Sequence, residues 1–448
     1  MELRDYQQRV IEDLRAAFCE GHGGAILELG TGAGKTVTAA SIVASATALG
    51  GWVLWVAHRR ELLDQADKTM RDLGLGPMLA GGKIHLRTVS GCWLDRYLAA
   101  PSMIIVDEGH RAMAASYRKI FNKWPDAFRI LLTGTAWRSD GASFAAVATA
   151  KVDGPTVGEL TAAGWLVPAV YWSIPGADLS GVKMARGDFK PGELAAAFDR
   201  PGLVGDVAAT FCKLARTRTA VVFASGVQHA ENLAAHLRYR GITAEAIEGA
   251  TPKVKRAALL SAHASGLLQV LCTADLLVEG WDNPRVSCVV MARATMSAII
   301  WRQAIGRGLR LAPDKADCIV LDHGGNCARL GLVDESLQYE AAGRAARGQL
   351  PGLGLATCPA CFAVFVSQPR PVTCPRCFEL LPVSMRKPVE SAAGDLIAFA
   401  PVAGAAKRPS VDWNVWRKID AERSQKGYKP GWTWAQYYLK EGVLKWKI

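Results

Sequence analysis

The chain has 448 residues, half of them apolar, and its formal net charge is +12. A length of this order suggests about three folded units, and the positive charge favours a polyanionic partner, although it would serve solubility equally well. No apolar run reaches the ~18 residues of a membrane span, and no apolar signal region follows the first residues, so we expect no membrane contact and a cytoplasmic location.

The eleven cysteines fall into two groups. An odd total argues against a complete disulfide framework. Seven of them lie in apolar surroundings and are predicted to be buried free thiols of a reducing compartment. The other four form two close pairs within residues 358–377. The seven scattered cysteines are Cys19, Cys92, Cys212, Cys272, Cys288, Cys318 and Cys327.

Short apolar runs alternate with helical patterns from residue 24 to about residue 330. The runs are rich in Ile, Val and Leu and are bounded by glycine, proline or charge, which is typical of strands covered on both faces. Helical periodicity between them, for example over Arg59–Leu73 and Gln228–Arg240, predicts βαβ units and parallel sheets. The predicted strands are Gly24–Leu29, Trp52–Ala57, Met103–Val106, Ile130–Leu132, Thr219–Ala224, Gln269–Cys272, Cys288–Met291 and Cys318–Leu321.

A glycine-rich loop follows the first predicted strand and precedes an alanine-rich helix, which is the context of a phosphate-binding loop. Its backbone N–H groups can approach phosphates, and the helix N-terminus adds a favourable dipole. Lys35 is placed to reach the β and γ phosphates of ATP, and the Thr36 hydroxyl to hold Mg²⁺. Leu29 stands where the strict pattern has glycine, so a simple strand–helix turn is the alternative. The loop consists of Gly30, Thr31, Gly32, Ala33, Gly34, Lys35 and Thr36.

An acidic pair, Asp107 and Glu108, ends a later predicted strand, at the sheet edge where α/β proteins bind ligands. Asp107 suits coordination of Mg²⁺, and Glu108 suits orienting and deprotonating a water that attacks phosphate. A solvated strand end would carry the same residues, but their order after the phosphate loop favours nucleotide hydrolysis. His110 is a candidate sensor of the γ-phosphate, with a helix cap as the alternative.

The order of these motifs resembles that of superfamily-2 helicases from residue 2 to about residue 330. Leu3–Gln7 resembles their adenine-recognising motif, with Gln7 as the base reader. Leu54–Leu62 and Arg87–Ser90 resemble motifs that touch nucleic acid, and Leu132–Ala136 resembles the segment that couples hydrolysis to strand movement. The resemblance assigns Arg4 and Gln7 to ATP, His58, Arg59 and Thr88 to nucleic acid, and His110, Thr133 and Thr135 to coupling.

The second half of the chain continues the resemblance. Val222–Ala224 is similar to the motif that opens the second lobe, Cys272–Asp282 to a segment touching nucleic acid and ribose, and Gln303–Arg310 to the arginine-finger motif. The two arginines of that motif are three residues apart and share a helical face, which suits stabilising charge on the γ-phosphoryl group. The assigned residues are Thr273 to nucleic acid, Gly280 and Asp282 to ATP, and Gln303, Arg307 and Arg310 to catalysis with Lys35, Asp107 and Glu108.

The resemblance implies an α/β fold with two RecA-like parallel-sheet lobes in tandem. We predict a first lobe over residues 1–172, a connector over 173–202 and a second lobe over 203–330. Within the superfamily the chain resembles the bacterial and phage RadD-like branch, which is related to XPB-type enzymes. Three features carry this closer resemblance: Asp107–His110, the Gln303–Arg310 segment followed by Lys315 and Leu321–His323, and the cysteine cluster after it.

Two C-x-x-C pairs separated by twelve residues predict a small zinc ribbon over residues 358–377, after a linker over 331–357. Four thiolates at tetrahedral geometry select Zn²⁺, whereas a redox role is the alternative. Phe362, Val364 and Val366 alternate as a short ribbon strand would. The four ligands are Cys358, Cys361, Cys374 and Cys377.

Residues 386–448 are predicted to form a basic, tryptophan-rich and mostly helical tail module. Aromatic side chains interleaved with Lys and Arg suit base stacking combined with phosphate contact. Trp434, Tyr437 and Tyr438 share one helical face, however, which favours a folded core for those three.

These features predict an ATP-dependent DNA helicase or translocase that uses ATP, Mg²⁺ and Zn²⁺. We expect a role in DNA repair, recombination or phage replication, with repair or single-strand-binding proteins as partners. A restriction motor subunit, an RNA helicase and a nucleic-acid clamp without ATPase activity are the alternatives. Intact Lys35, Glu108 and Arg310 argue against the clamp, and no acidic–lysine cluster typical of a nuclease follows residue 330.

Overall fold

A computed structural model describes both predicted lobes and the cysteine cluster. The described residues are 3–93, 99–134, 144–173, 179, 181–185, 188–198, 201–274, 281–333, 355–358, 360–366, 373–379, 421, 422 and 425. Nearly all of the predicted tail module therefore lies outside them. Residues 1–383 form one compact unit. Among the described helices, none combines the length and the apolar character needed to cross a bilayer.

The first lobe is built on a six-stranded parallel sheet. Its strands are β1 (Gly24–Glu28), β2 (Val53–Ala57), β3 (Ile84–Thr88), β4 (Met103–Asp107), β5 (Phe128–Thr133) and β6 (Ala150–Asp153). They pair in the order β3-β2-β4-β5-β1-β6. The predicted strands β1, β2, β4 and β5 are confirmed. Those four are mostly apolar and largely buried, whereas β3 and β6 carry exposed positions and lie at the two edges.

Helices cover this sheet. They are α1 (Asp5–Cys19), α2 (Lys35–Ala48), α3 (Arg60–Asp72), α4 (Gly76–Ala80), α5 (Ala115–Lys123) and α6 (Val157–Ala162). In α3 the apolar residues recur every three or four positions and are buried, while Arg71–Asp67 and Lys68–Asp72 ion pairs occupy the opposite face. This spacing makes α3 an amphipathic cover for the sheet rather than a free-standing helix.

The second lobe repeats the architecture. Its elements are β7 (Ala169–Ser173), β8 (Met184–Ala185), β9 (Asp188–Phe189), α7 (Pro191–Phe198), α8 (Pro201–Leu214), β10 (Ala220–Ala224), α9 (Val227–Tyr239), β11 (Ala244–Ile247), α10 (Lys253–Ser265), β12 (Val270–Thr273), β13 (Cys288–Ala292), α11 (Ala298–Gly306), β14 (Cys318–Asp322) and α12 (Asn326–Leu330). Its parallel sheet has the order β11-β12-β10-β13-β14-β7. The expected pair of α/β lobes is therefore confirmed, and a separate two-stranded element, β15 (Leu355–Thr357) with β16 (Val364–Val366), follows them.

Strand β7 comes from residues that we predicted for the first lobe. It pairs with β14 from Ala169 beside Cys318 to Ser173 beside Asp322. The first lobe was predicted to reach residue 172, whereas the chain joins the second sheet at Ala169. An apolar strand pattern does not specify which of two sheets the strand joins, because that choice depends on contacts 149 residues away, such as the Ser173–Asp322 hydrogen bond.

The two lobes share apolar packing. One cluster of buried side chains contains Leu27 and Leu29 of the first sheet, Leu166 of the crossover, and Val289 and Leu309 of the second lobe. Each Å² of apolar area removed from water stabilises the folded protein by about 25 cal/mol. This continuous cluster therefore favours the arrangement of the lobes in which Leu166, on the segment that joins them, is buried.

A buried histidine fixes one loop of the second lobe. His263 on α10 lies 3.0 Å from the Ala220 carbonyl through Nε2 and 2.8 Å from the Asn283 amide nitrogen through Nδ1. The amide donates to Nδ1 and the Nε2–H donates to the carbonyl, which requires the neutral ring. Burial lowers the pKa of His263 to about 4. The neutral imidazole thereby connects α10 and β10 to Asn283, in the loop between β12 and β13 that also carries Trp281.

Acid should destabilise the second lobe through this ring. The pKa of His263 in the folded protein is below its ordinary value, so the neutral ring contributes its full share to the free energy of unfolding above pH ~6.5. Below that pH, the free energy of unfolding falls by about 1.4 kcal/mol per pH unit until the pH reaches about 4. We expect the urea midpoint to fall over this range and His263→Gln to reduce the slope. Replacing the exposed His236 by Gln is the control and should leave the slope unchanged. Equal slopes for wild type and His263→Gln would contradict the assignment.

Candidate active site

The phosphate-binding loop joins β1 to α2. Gly32 and Gly34 have φ of +88° and +75°, the left-handed region that other residues adopt at a cost. A Cβ on Gly34 would also lie 2.7 Å from Gln7 Nε2. Helix α2 begins at Lys35, directly after Gly34, so the first N–H groups of the helix and the positive end of its dipole lie at the loop, as anion binding requires.

Lys35 lies among charges of both signs. Its Nζ donates to the Leu29 carbonyl at 3.0 Å, and a Cβ on Gly134 would lie 3.3 Å from Nζ. Burial lowers the pKa of Lys35, the carboxylates of Glu108 and Asp107 oppose that shift, and the positive charges of Arg307 and Arg310 add to it. The lysine therefore interacts with acidic groups of its own lobe and with both arginines of the other lobe.

The N-terminal motif packs against the phosphate loop. The Tyr6 hydroxyl donates to the Ala33 carbonyl at 2.9 Å, and Arg4 Nη1 donates to that hydroxyl at 3.0 Å. Gln7 is buried, where its Oε1 accepts from the Arg4 backbone N–H at 3.0 Å and its Nε2 donates to Thr38 Oγ1 at 3.2 Å. These contacts fix the orientation of the amide that we predict to read the adenine base.

The acidic pair lies at the end of β4, where Asp107 is the last strand residue and Glu108 begins a strained turn. Asp107 and Glu108 are each 7% exposed, and Asp107 Oδ1 accepts from the Glu108 N–H at 3.0 Å. Glu108 has φ of +54°, a conformation that costs about 1–3 kcal/mol for a residue with a side chain. Gly109 is required next, because a Cβ there would lie 2.8 Å from Leu131 Cβ. His110 Nδ1 lies 3.3 Å from Glu108 Oε2.

A hydrogen bond crosses between the lobes at this carboxylate. Gln303 Nε2 of α11 donates to Glu108 Oε2 at 3.0 Å, and both side chains are buried. Nearby, a Cβ on Gly306 would lie 2.5 Å from Thr31 Cγ2, so α11 passes directly against the phosphate loop. The arginine motif and the phosphate loop therefore face each other across one cleft.

The two arginines are held by the loop that follows β12. Arg307 Nη1 donates to the Trp281 carbonyl at 2.5 Å, and Arg310 forms an ion pair with Asp282. Burial lowers the pKa of Arg310 to about 10, so the guanidinium stays charged at neutral pH. Lys315 Nζ donates to the Arg310 carbonyl at 2.6 Å. Asp282, which we predicted to touch ATP, thus has an arginine partner here.

The residues predicted to contact nucleic acid lie at strand ends. In the first lobe Ala57 is the register partner of Thr88, so His58 and Arg59 follow β2 beside the end of β3. Thr273 is buried at the end of β12 in the second lobe. Glu61, two residues after Arg59, lies 3.6 Å from Arg256 of α10, so the two lobes also meet beyond the end of β2.

Other predicted site residues have simpler positions. Thr133 is buried at the end of β5, where its carbonyl accepts from the Leu29 N–H at 2.9 Å. Thr36 is half-buried in the first turn of α2, two β-strands from Asp107 in the sheet order. Thr135 and Gly280 lie outside the described residues. Their roles, like those of the other site residues, stay predictions.

Sequence reasoning missed several contacts of the site. Tyr6 lies inside a recognised motif but gave no signal of its contact with the phosphate loop. Gly306 lies 275 positions from Thr31, and only the folded chain brings them together. Trp165 and Leu166 occur in no recognised motif, yet Arg4 stacks on the first, and a Cβ on Gly32 would lie 2.7 Å from the second.

Four cysteines form a candidate metal centre. Their Sγ atoms all lie within 4.8 Å of one another, with Cys358–Cys377 at 3.6 Å and Cys361–Cys374 at 3.7 Å. Tetrahedral Zn–S bonds of ~2.3 Å imply sulfur separations of roughly 3.8 Å, which these distances match. Both knuckles have the same form: Phe362 and Phe378, each directly after the second cysteine of its pair, have φ near +60°.

The cysteine element packs on the edge of the second sheet. Ala363 forms an antiparallel bridge with Trp172 of β7, and Ser173 N–H donates to the Phe362 carbonyl at 3.0 Å. The Arg376 guanidinium lies 4.5 Å from the centre of the Trp172 ring. Since β7 is the last strand of its sheet, these contacts cover its outer side along part of its length.

Two protein-family profiles match the lobes. Residues 1–89 and 94–138 match the family described as type III restriction enzyme, res subunit, and residues 206–312 match the helicase conserved C-terminal domain. The chain belongs to superfamily 2 of the helicases. It is accordingly a nucleotide-binding ATP hydrolase.

This superfamily-2 helicase has relatives in phages and fungi. It is 32% identical to a 51.5 kDa protein of Lactococcus phage (isolate 7-9), over 75% of this chain and 74% of that protein. It is 26% identical to the putative ATP-dependent helicase IRC3 of Saccharomyces cerevisiae, over 74% of this chain and 52% of that protein. The helicase thus matches about half the length of the yeast protein.

Solved structures share the fold of the helicase. A fragment of a putative HsdR subunit of a type I restriction enzyme from Vibrio vulnificus YJ016 matches with a TM-score of 0.58 and 20% identity, over 74% of this chain and 67% of the other. The type ISP restriction-modification enzyme LlaBIII bound to DNA matches with a TM-score of 0.54 and 15% identity. This match covers 72% of this chain and 28% of the other.

Replacing Gly306 by Ala should impair hydrolysis more than ATP binding. The added Cβ would clash with Thr31 and push α11 from the phosphate loop, which moves the arginines away from the γ-phosphoryl group. We expect kcat to fall by at least about tenfold, because an arginine finger contributes 10³ or more. Gly192→Ala, where nothing lies within 4 Å, is the matched control. Unchanged kcat for Gly306→Ala would show that the lobes do not meet here during turnover.

Proposed function

We propose that this chain is an ATP-driven DNA translocase or helicase in which nucleic acid stimulates hydrolysis. The observation that carries the proposal is the composite pocket, where Lys35 and Glu108 of one lobe meet Gln303 and Arg310 of the other. A chemical step divided between lobes responds to any ligand that changes how the lobes meet. Nucleic acid bound across both lobes would be such a ligand.

The residues of the pocket suit phosphoryl transfer to water. The loop N–H groups and Lys35 would bind the β and γ phosphates, and Thr36 and Asp107 would hold Mg²⁺, which when bound would neutralise phosphate charge. Glu108 accepts a proton from the attacking water while the bond between the β–γ bridging oxygen and the γ-phosphorus breaks. Arg307 and Arg310 stabilise the negative charge of the transition state. The products are ADP and phosphate.

The contacts between the lobes suggest a path for nucleic acid. The Val89 N–H donates to the Ala57 carbonyl at 3.1 Å, which places the His58 and Thr88 segments side by side. Across the cleft, Arg256 donates to the Gly249 carbonyl at 2.8 Å and pairs with Glu61. We propose that nucleic acid runs past these segments, where Arg59 can contact the phosphate backbone.

We propose DNA rather than RNA as the nucleic acid that this protein binds, because of what its structural neighbours are. One structural neighbour is bound to DNA, and both structural neighbours come from restriction enzymes. We propose a cytoplasmic role in DNA repair, recombination or phage replication, together with membership of the RadD-like branch. A phage protein among the relatives is consistent with replication of that kind.

ATP hydrolysis should depend on DNA and on the side chains of Lys35 and Glu108. We expect single-stranded or duplex DNA to raise kcat severalfold and Lys35→Ala or Glu108→Gln to lower it by about 10²–10³. Lys83→Ala, an exposed lysine distant from the phosphate loop, is the control. Phosphate release measured with and without DNA or RNA tests this. A rate of ATP hydrolysis that neither DNA nor RNA changes would contradict the proposed motor function. Stimulation by RNA alone would favour an RNA helicase.

The cysteine cluster is proposed to hold one structural Zn²⁺. All four ligands are cysteines, so no ligand position is open for catalysis. We expect about one zinc per chain, and Cys374→Ser should lose the metal and lower the melting temperature, because zinc binding contributes directly to folding. Cys19, which we predicted to be buried, is in fact exposed, and Cys19→Ser should change neither. Full stability of the zinc-free protein would contradict a structural role.

A further inference from the structure

Three consecutive residues where the chain passes from one lobe to the other each contact a different part of the nucleotide site. Trp165, Leu166 and Val167 follow α6 and precede β7. Trp165 lies against the N-terminal motif, Leu166 against the phosphate loop and Val167 against the arginine motif. These contacts connect the base end of the site to its γ-phosphate end through a short piece of chain.

The end of α6 fixes the position of Trp165. Gly164 has φ of +74°, its N–H donates to the Thr161 carbonyl at 3.0 Å, and the Trp165 N–H donates to the Leu160 carbonyl at 2.8 Å. This paired bonding with a left-handed glycine is the Schellman termination of a helix. It leaves the Trp165 backbone little freedom, so the indole is held at a defined place beside α1.

Trp165 supports the residues predicted to recognise adenine. The Arg4 guanidinium carbon lies 4.1 Å from the centre of the indole ring, and Trp165 is 39% exposed. The same guanidinium donates to the Tyr6 hydroxyl, and the Arg4 backbone N–H donates to the Gln7 amide oxygen. The ring also lines a cleft of about 390 Å³ beside α1. Removing the indole would therefore release Arg4 from its stacked position.

Leu166 and Val167 carry the connection onward. Leu166 is 2% exposed and lies directly beneath Gly32 of the phosphate loop. The Val167 N–H donates to the Leu309 carbonyl at 2.9 Å, and Leu309 immediately precedes Arg310. The position of this segment therefore determines where the backbone that carries Arg310 lies relative to the phosphate loop.

We propose that Trp165–Val167 is a positioning segment that links recognition of the base to placement of the arginine, with Trp165 as its specificity-determining residue. Trp165 holds the Arg4 guanidinium, which donates to the Tyr6 hydroxyl, while the Arg4 backbone N–H holds the Gln7 amide. The segment thereby supports the N-terminal motif that we predict to favour adenine over other bases. The Val167 N–H holds the Leu309 carbonyl, and Arg310 is the next residue. The same segment therefore contacts the base-recognising motif at one end and positions Arg310 at the other. The inference rests on the ATPase activity and does not require DNA.

Nucleotide binding without DNA tests the base-recognition half of this proposal. We expect Trp165→Leu to raise the Kd of fluorescently labelled ATP about fivefold, as loss of a partly exposed cation–π contact implies, and to narrow the preference for ATP over GTP. Trp165→Phe keeps an aromatic face and should restore both. Trp52→Leu is the matched control, because Trp52 directly precedes β2 at the amino end of the strands, whereas the phosphate loop follows the carboxyl end of β1. An unchanged ATP to GTP ratio in Trp165→Leu, or no recovery with Phe, would overturn the assignment.

A second variant separates placement of the arginine from recognition of the base. Val167→Pro removes the N–H that donates to Leu309, so we expect kcat for ATP to fall about tenfold while the Kd for ATP and the preference over GTP stay unchanged. A change in Kd with unchanged kcat would contradict the linkage. Wild-type protein that binds ATP but shows no stimulation by DNA would count against the motor and leave this test intact.

Discussion

The hydrogen bond from Gln303 to Glu108 is the contact on which the proposed composite pocket depends. It joins side chains 195 positions apart at the carboxylate that we propose to activate water. Both groups are buried, where an electrostatic interaction is stronger than in water. The strained φ of Glu108 and the glycine after it direct this carboxylate toward α11. Without the contact between the lobes, the pocket would hold phosphate but lack its second half.

Charge balance explains why the arginines lie where they do. Arg310 pairs with Asp282, and Arg307 donates to the Trp281 carbonyl, so neither guanidinium depends on nucleotide to remain in the lobe interior. A triphosphate would offer these groups a stronger partner than one carboxylate and one carbonyl. A bound nucleotide would therefore compete with Asp282 and the Trp281 carbonyl for the two guanidiniums. His263 holds the loop that carries Trp281 through its contact with Asn283.

The sequence predicted the elements whose signals are local. The phosphate loop, the acidic pair and the central strands were recognisable because their residues are contiguous, and the paired cysteines because ligand spacing follows metal geometry. The sheet joined by β7, the packing of Gly306 on Thr31 and the stacking of Arg4 on Trp165 were not predictable. Each depends on residues more than a hundred positions apart, and a pattern read along the chain carries no information about such distances.

The cysteine element also protects an edge. Strand β7 ends the second sheet, and its outer hydrogen-bonding side is met near Trp172 and Ser173 by Ala363 and Phe362. An open parallel edge of this kind offers N–H and C=O groups to any extended segment of another chain. Loss of the metal would therefore do more than loosen a small appendage. If the cluster holds zinc as proposed, the metal-free protein would expose this part of the β7 edge to strand addition from another chain.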